Sequence, residues 1–479
     1  MNRSIQRLFM VMAGGFALLV LMLGWWQVVH ASELRDRRGN PQTLQAERLI
    51  DRGRIISADG KLLAASRARR IEGQRVFERV YPQQSLAAHV IGYSTADKGK
   101  TGVEDVYNRY LTGSFGAEPI LQRLKLKEKQ GANVQLNIDT RVQIAAEQAL
   151  SGQVGAVVAI DPRTGQVKAL ASSPTFNLQE VVGGGWAGIA NQTGSPLIDR
   201  ATAGRDAPGS TFKVVTATAA LDSGLYQPDS SFQGGSEYDT PGGPIRNFGG
   251  ASFGPHPLSE ALTYSINTTF AEIGDTLGPE RLGEMMTRFG FGSRPGIDLP
   301  PGEVIASGRY DGTTLLPNSE ADEDAARIAI GQEKLVATPL QMAMVASAVA
   351  NDGVLMQPQL MNRIVDRSGD EVRRNDPVEL GRVMSSETAA EMTDMMTDVV
   401  RDGTGAQAAL VDVGVTAAGK TGTAETGNPM ENNAWFIGFA PAQDPTIAVA
   451  VVIEETPGQG GSVAAPVAAD VMRAALETQ

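Results

Sequence analysis

The chain has 479 residues, enough for more than one domain, and a formal net charge of −12 that argues against a nucleic-acid binder. It contains no cysteine, which excludes thiol chemistry and cysteine-ligated metal sites. Its three histidines, His30, His89 and His256, leave few ordinary candidates for a general base.

At the N-terminus, Arg3 and Arg7 precede an apolar stretch from Leu8 to Val29, with Gln27 its only strongly polar residue and Trp25-Trp26 near its far end. That length spans a bilayer, and the stretch is read as a retained anchor over residues 1–30. A cleaved signal peptide is the competing reading, because Val29-His30-Ala31 fits a small-residue cleavage pattern. Residues 31–135 are richer in charge, with Arg48, Arg52, Arg54, Arg67, Arg69 and Arg70 among several acids. A solvated charged surface and a docking role stand as equal readings of these arginines.

From residue 136 to 479 the pattern changes to strands and helices. Ala156–Ile160, an Asp161-Pro162-Arg163-Thr164-Gly165 turn and Gln166–Ala171 predict one hairpin; Trp435–Phe439 and Thr446–Ile453 predict another. Helical stretches are expected to start near Ser210, Ser259, Pro279, Pro339 and Ser386, with a final helix over Val463–Leu476. Strands at both ends with helices between them predict an α+β fold whose antiparallel sheet closes from distant parts of the chain.

Three short strings carry the chemistry. Ser210-Thr211-Phe212-Lys213 follows Pro208-Gly209 and opens a small-residue helical run, so Ser210 and Lys213 share a helix face in its first turn. A serine hydroxyl needs a neighbour to take its proton, and no histidine lies beside it. A lysine can do so only when uncharged, which requires burial or a nearby positive charge. Lys420 is the candidate for that charge. Ser265-Ile266-Asn267 is expected on a turn between two helices, offering a hydroxyl and an amide; alone it reads as a helix cap. Lys420-Thr421-Gly422-Thr423 reads as the start of a strand after the apolar alternation Val411–Val415, with Gly422 where a side chain would block close approach. Such an edge can pair with an extended peptide. A second Lys-Thr-Gly at Lys100-Thr101-Gly102 precedes the serine and is a decoy.

Residues 414–421, Gly-Val-Thr-Ala-Ala-Gly-Lys-Thr, also match G-x-x-x-x-G-K-[ST], the phosphate-binding loop of nucleotide-binding proteins. That loop needs a helix beginning at the lysine. Two glycines and a proline follow within nine positions and oppose one.

S-x-x-K, S-x-N and K-T-G in this order resemble the penicillin-recognising serine enzymes. Together with Gly331-Gln332, Thr338-Pro339-Leu340-Gln341-Met342 and Trp435-Phe436-Ile437-Gly438-Phe439, they resemble a class B penicillin-binding protein of the short actinobacterial type over residues 135–479. Arg52-Gly53-Arg54 through Ala64 is similar to the signature that opens the class B stalk. The resemblance implies a transpeptidase domain with a helical subdomain, a stalk over 31–135, and no metal or organic cofactor. It implies Ser210 as nucleophile, Lys213 as general base, and Ser265, Asn267 and Lys420 assisting. Thr421 and Thr423 would hold the substrate carboxylate, Gly422 would permit close approach, and the Ser210 and Thr423 amides would form the oxyanion hole. Peptidoglycan stem peptides, β-lactams and a multipass glycan polymerase of the SEDS family are the implied partners, with no nucleic acid. A D,D-carboxypeptidase, a serine β-lactamase and an inactive scaffold are the alternatives. In this family glycine commonly follows Gly-Gln; here Glu333 follows, which leaves that loop's shape open.

Overall fold

A computed structural model describes residues 3–26, 48–71, 73–95, 97–115, 130–319, 324–424 and 431–478. The first helix, α1 (Arg3–Gly24), has no buried residue and is long and apolar enough to cross a membrane; a signal sequence has the same character. The Val29-His30-Ala31 pattern lies outside the described residues.

Two sheets organise the rest. The first has six strands, beginning with β1 (Ile55–Ile56), β2 (Leu62–Ile71), β3 (Gln74–Val80) and β4 (Asn133–Leu136). After β4, Asp139 caps α2 (Thr140–Ala149) by accepting the Arg141 amide, and the chain enters a hairpin of β5 (Gly155–Ile160) and β6 (Val167–Ser173). The helices α3 (Lys213–Asp222), α4 (Leu258–Thr263), α5 (Asn267–Arg288) and α6 (Pro339–Ala350) follow. Within α5, Gly278 sits at φ 69°, ψ 171°, so a helical segment restarts at Pro279 as expected. Thr338 accepts the Gln341 amide ahead of Pro339 and fixes the start of α6.

The chain then returns to the first sheet with β7 (Met361–Val365) and β8 (Glu371–Arg374), giving the order β8-β7-β4-β1-β2-β3. Ile364 lies opposite Val134, which in turn lies beside Ile55 in a parallel pair. The division expected at residue 135/136 therefore runs through a strand, and segments far apart in sequence are joined across it.

Helix α7 (Ser386–Arg401) leads to β9 (Ala418–Ala424), β10 (Asn432–Ala440), β11 (Ile447–Thr456) and α8 (Ala465–Leu476). The second sheet has the order β9-β10-β11-β5-β6, closing the C-terminal hairpin onto the hairpin that starts the region. Both of its faces are covered. Phe436, Val449, Val451 and Val157 face a core shared with α2 and α8, whereas Trp435, Ile437, Ala450 and Val158 face the larger core with α3, α5 and α6. Period-two alternation thus assigns neighbouring apolar residues to opposite cores. Among the described strands, β9 is the edge strand of this sheet that lies beside the serine turn.

Two expectations need correction. Val411–Val413 is a 3₁₀ turn, with Val411 83% exposed, because the strand begins only at Ala418. Arg52 is buried: with Arg79 it clasps the fully buried Glu104, at 2.6 Å from Arg52 and 2.5 Å from Arg79. Burial alone would raise the Glu104 carboxyl, but Arg79 and Arg52 hold it below its ordinary value. Arg48, Arg54, Arg67, Arg69 and Arg70 are exposed as expected. The decoy Lys100-Thr101-Gly102 ends a short strand and begins the helix Gly102–Val106 that carries Glu104.

Candidate active site

Ser210 stands in a 3₁₀ turn, Gly209–Phe212, that runs directly into α3. Gly209 has φ 51° and packs against β9: a Cβ there would come within 2.8 Å of the Thr423 carbonyl oxygen. Its amide donates to the Gly331 carbonyl at 3.0 Å, and a Cβ on Gly331 would lie 2.0 Å from the Gly209 oxygen. The serine turn is therefore held between β9 and the Gly331-Gln332 loop. Glu333 resolves the departure noted in that loop: it adopts φ 68°, the left-handed conformation that glycine takes without cost.

Lys213 is fully buried. Its Nζ lies 2.6 Å from Asn267 Oδ1, 2.8 Å from the Ser265 carbonyl oxygen and 3.2 Å from Ser265 Oγ, with the Phe270 ring centroid at 5.3 Å. Asn267 Nδ2 donates to the Arg246 carbonyl at 2.8 Å, which fixes the amide so that its oxygen faces the lysine. Ser265 occupies the turn between α4 and α5 at φ 59°, a strained conformation for a residue with a side chain, while Asn267 is the first residue of α5. Burial, and then the charge of Lys420, push the Lys213 amine well below its ordinary value.

Proton accounting follows from these partners. A neutral amine has two N–H bonds and one lone pair. The Ser265 carbonyl and the Asn267 amide oxygen can only accept, so they take both N–H bonds. The lone pair is then left for a hydroxyl.

Lys420 is also fully buried, donates to the Thr421 carbonyl at 2.9 Å, and is brought by burial down to about 7. Thr421 and Thr423 alternate with Lys420 and Gly422 along β9. A Cβ on Gly422 would meet the Pro208 oxygen and Thr211 Cγ2 at 2.9 Å each, so this face of the strand lies against the serine turn. On the other face, the Thr421 and Thr404 hydroxyls lie 2.6 Å apart, and Thr423 Oγ1 accepts the Gly460 amide at 3.3 Å.

The structure thus gathers the three strings around one buried pair of lysines. The nucleotide-loop alternative does not survive, because Lys420 and Thr421 sit inside a strand and no helix begins at the lysine. Sequence reasoning missed Phe270 and Thr404. Phe270 lies three positions beyond Asn267 on a helix, a spacing that could have nominated it; Thr404 gave no signal.

Residues 155–473 match the penicillin binding protein transpeptidase domain, and residues 52–134 match the penicillin binding protein A dimerisation domain. The chain belongs to the penicillin-binding protein transpeptidase family. It is 34% identical to peptidoglycan D,D-transpeptidase PbpA of Mycolicibacterium smegmatis, over 99% of each chain. The namesake from Mycobacterium tuberculosis is 32% identical over 100% of this chain and 99% of its own. Among solved structures, penicillin-binding protein A from M. tuberculosis as a ceftriaxone acyl-enzyme complex superposes with a TM-score of 0.81 at 32% identity, covering 90% of this chain and 100% of that one. The D,D-transpeptidase domain of a peptidoglycan glycosyltransferase from Eggerthella lenta gives 0.78 at 35% identity, covering 90% and 99%.

Proposed function

We propose that this penicillin-binding protein is a peptidoglycan D,D-transpeptidase working through an acyl-enzyme on Ser210, and that β-lactams acylate the same residue. The observation that carries this reading is the buried Lys213 amine, 2.8 Å from the Ser265 carbonyl oxygen and 2.6 Å from Asn267 Oδ1, two oxygens that cannot donate. Its lone pair takes the Ser210 proton as Oγ attacks the carbonyl of a terminal D-Ala-D-Ala unit. The tetrahedral oxyanion is met by the Ser210 and Thr423 amides, a role in which one donor is worth about 3 kcal/mol. Ser265, whose hydroxyl lies 3.2 Å from Lys213 Nζ, relays the proton to the departing D-Ala amine. Lys420 keeps Lys213 neutral, Asn267 orients it, Gly422 admits the serine turn, and the Thr421 and Thr423 hydroxyls hold the substrate carboxylate. A neighbouring stem-peptide amine then resolves the ester and forms the cross-link.

Residues 1–30 serve as a single-pass anchor with a cytoplasmic tip, residues 31–135 as the stalk, and residues 136–479 as the catalytic region outside the cell membrane. The anchor and stalk are the surfaces offered to a SEDS-family glycan polymerase.

The test is a synthetic pentapeptide stem substrate supplied with an amine acceptor, analysed by mass spectrometry. Release of D-Ala with formation of the dimer supports the proposal. Release with water as the sole acceptor identifies a carboxypeptidase, and rapid turnover of benzylpenicillin identifies a lactamase.

A further inference from the structure

The two threonine hydroxyls of β9 have different partners. Thr423 Oγ1 accepts the Gly460 amide, and an amide N–H can only donate. The Thr423 hydroxyl proton is therefore free for an anion. Among the described residues Thr421 has no amide in that role; its partner is the Thr404 hydroxyl at 2.6 Å, where either oxygen can be the donor.

Thr404 belongs to the Gly403-Thr404-Gly405 turn after α7, and this turn touches three walls of the site. Its amide donates to the Thr263 carbonyl at 3.3 Å, at the end of the helix that leads into Ser265. A Cβ on Gly403 would lie 2.4 Å from that same oxygen, and a Cβ on Gly461 would lie 2.3 Å from the Thr404 carbonyl oxygen. The Thr404 backbone is thus fixed by close packing, which fixes its hydroxyl over Thr421.

We propose that Thr404 is a positioning residue: its hydroxyl donates into Thr421 Oγ1 and so turns the Thr421 proton toward the terminal carboxylate of the substrate. When a carboxylate arrives, Thr421 donates to it and Thr404 donates to Thr421, a hydrogen-bond chain in which each member polarises the next. Thr404 does for Thr421 what the Gly460 amide does for Thr423. This inference rests on the proposed function, in which Thr421 faces a carboxylate.

The experiment compares acylation by benzylpenicillin with acylation by its methyl ester, which lacks the anion, in the full chain and in Thr404→Val and Thr404→Ser. Wild type should prefer the free acid. Thr404→Val should lose about fivefold of that preference, the size of one neutral hydrogen bond, and Thr404→Ser should restore it. A general structural role would slow both compounds alike in Thr404→Val, leave the preference intact and overturn the inference. A wild type that shows no preference would instead remove the carboxylate grip itself, and with it this part of the proposed function.

Discussion

Asn267 Oδ1 lies 2.6 Å from Lys213 Nζ, and the same amide is anchored through its nitrogen to the Arg246 carbonyl. An oxygen that carries no full charge is thereby placed where a carboxylate would lock the lysine in its protonated form. Asn267→Asp is nearly isosteric and installs that charge. It should raise the Lys213 amine toward its ordinary value, slow Ser210 acylation at neutral pH by about a hundredfold, and return activity as the pH rises. The pH–rate profile of benzylpenicillin acylation checks this, since a merely misfolded variant would not recover at high pH.

Lys420 is costly to the fold. Its amine is held near 7 in the folded chain against 10.5 as a free side chain, so between those values the unfolded state binds a proton that the folded state does not. The sign follows: the penalty is full below about 7, and stability rises with pH from there to about 10.5. Lys420→Met, of similar volume and uncharged, should be more stable than wild type at pH 6, by about 5 kcal/mol at most, with the gain shrinking toward pH 10. Denaturant unfolding at the two pH values measures it. The same variant should acylate poorly, because the charge that helps keep Lys213 neutral is gone.

Glu333 and Gly331 make an opposed pair of tests in one loop. Glu333→Gly relieves a left-handed residue that is exposed at the surface and should add about 1 kcal/mol of stability. Gly331→Ala drives a Cβ to 2.0 Å from the Gly209 oxygen and should displace the serine turn, lowering both stability and acylation rate. Unfolding and acylation measured together separate the two.

Glu104→Gln removes the carboxylate shared by Arg52 and Arg79 and leaves two buried guanidinium groups without a counter-charge. It should destabilise the chain by about 3–5 kcal/mol. Because Arg79 and Arg52 hold Glu104 below its ordinary value, its contribution in wild type is present above the usual carboxylate range and is lost as the pH falls through the folded value. Unfolding of wild type and variant should converge toward acid.

Much of the site was legible because its chemistry is local. Ser210 and Lys213 share a turn, Ser265 and Asn267 flank one residue, and Lys420–Thr423 form one strand, so backbone geometry alone brings each set together. The hairpins and helix starts were readable for a similar reason, from alternation, caps and proline. What escaped lies across chain separations that no pattern marks. Thr404 reaches Thr421 only after α7 packs beside β9, and Arg246 contributes a carbonyl, which carries no side-chain signature. Arg52 reads as a surface cation until Glu104 is folded against it. The Val411–Val415 alternation misled because apolar residues in a tight turn can point outward.

The central claim is that a neutral Lys213 activates Ser210, and peptide-mapped intact mass after benzylpenicillin tests it most directly. Wild type should gain one penicilloyl group on the peptide containing Ser210, Ser210→Ala should gain none, and Lys213→Ala should label at least a hundredfold more slowly while remaining folded. An adduct mapped to another residue, or labelling of Lys213→Ala at the wild-type rate, would contradict the account.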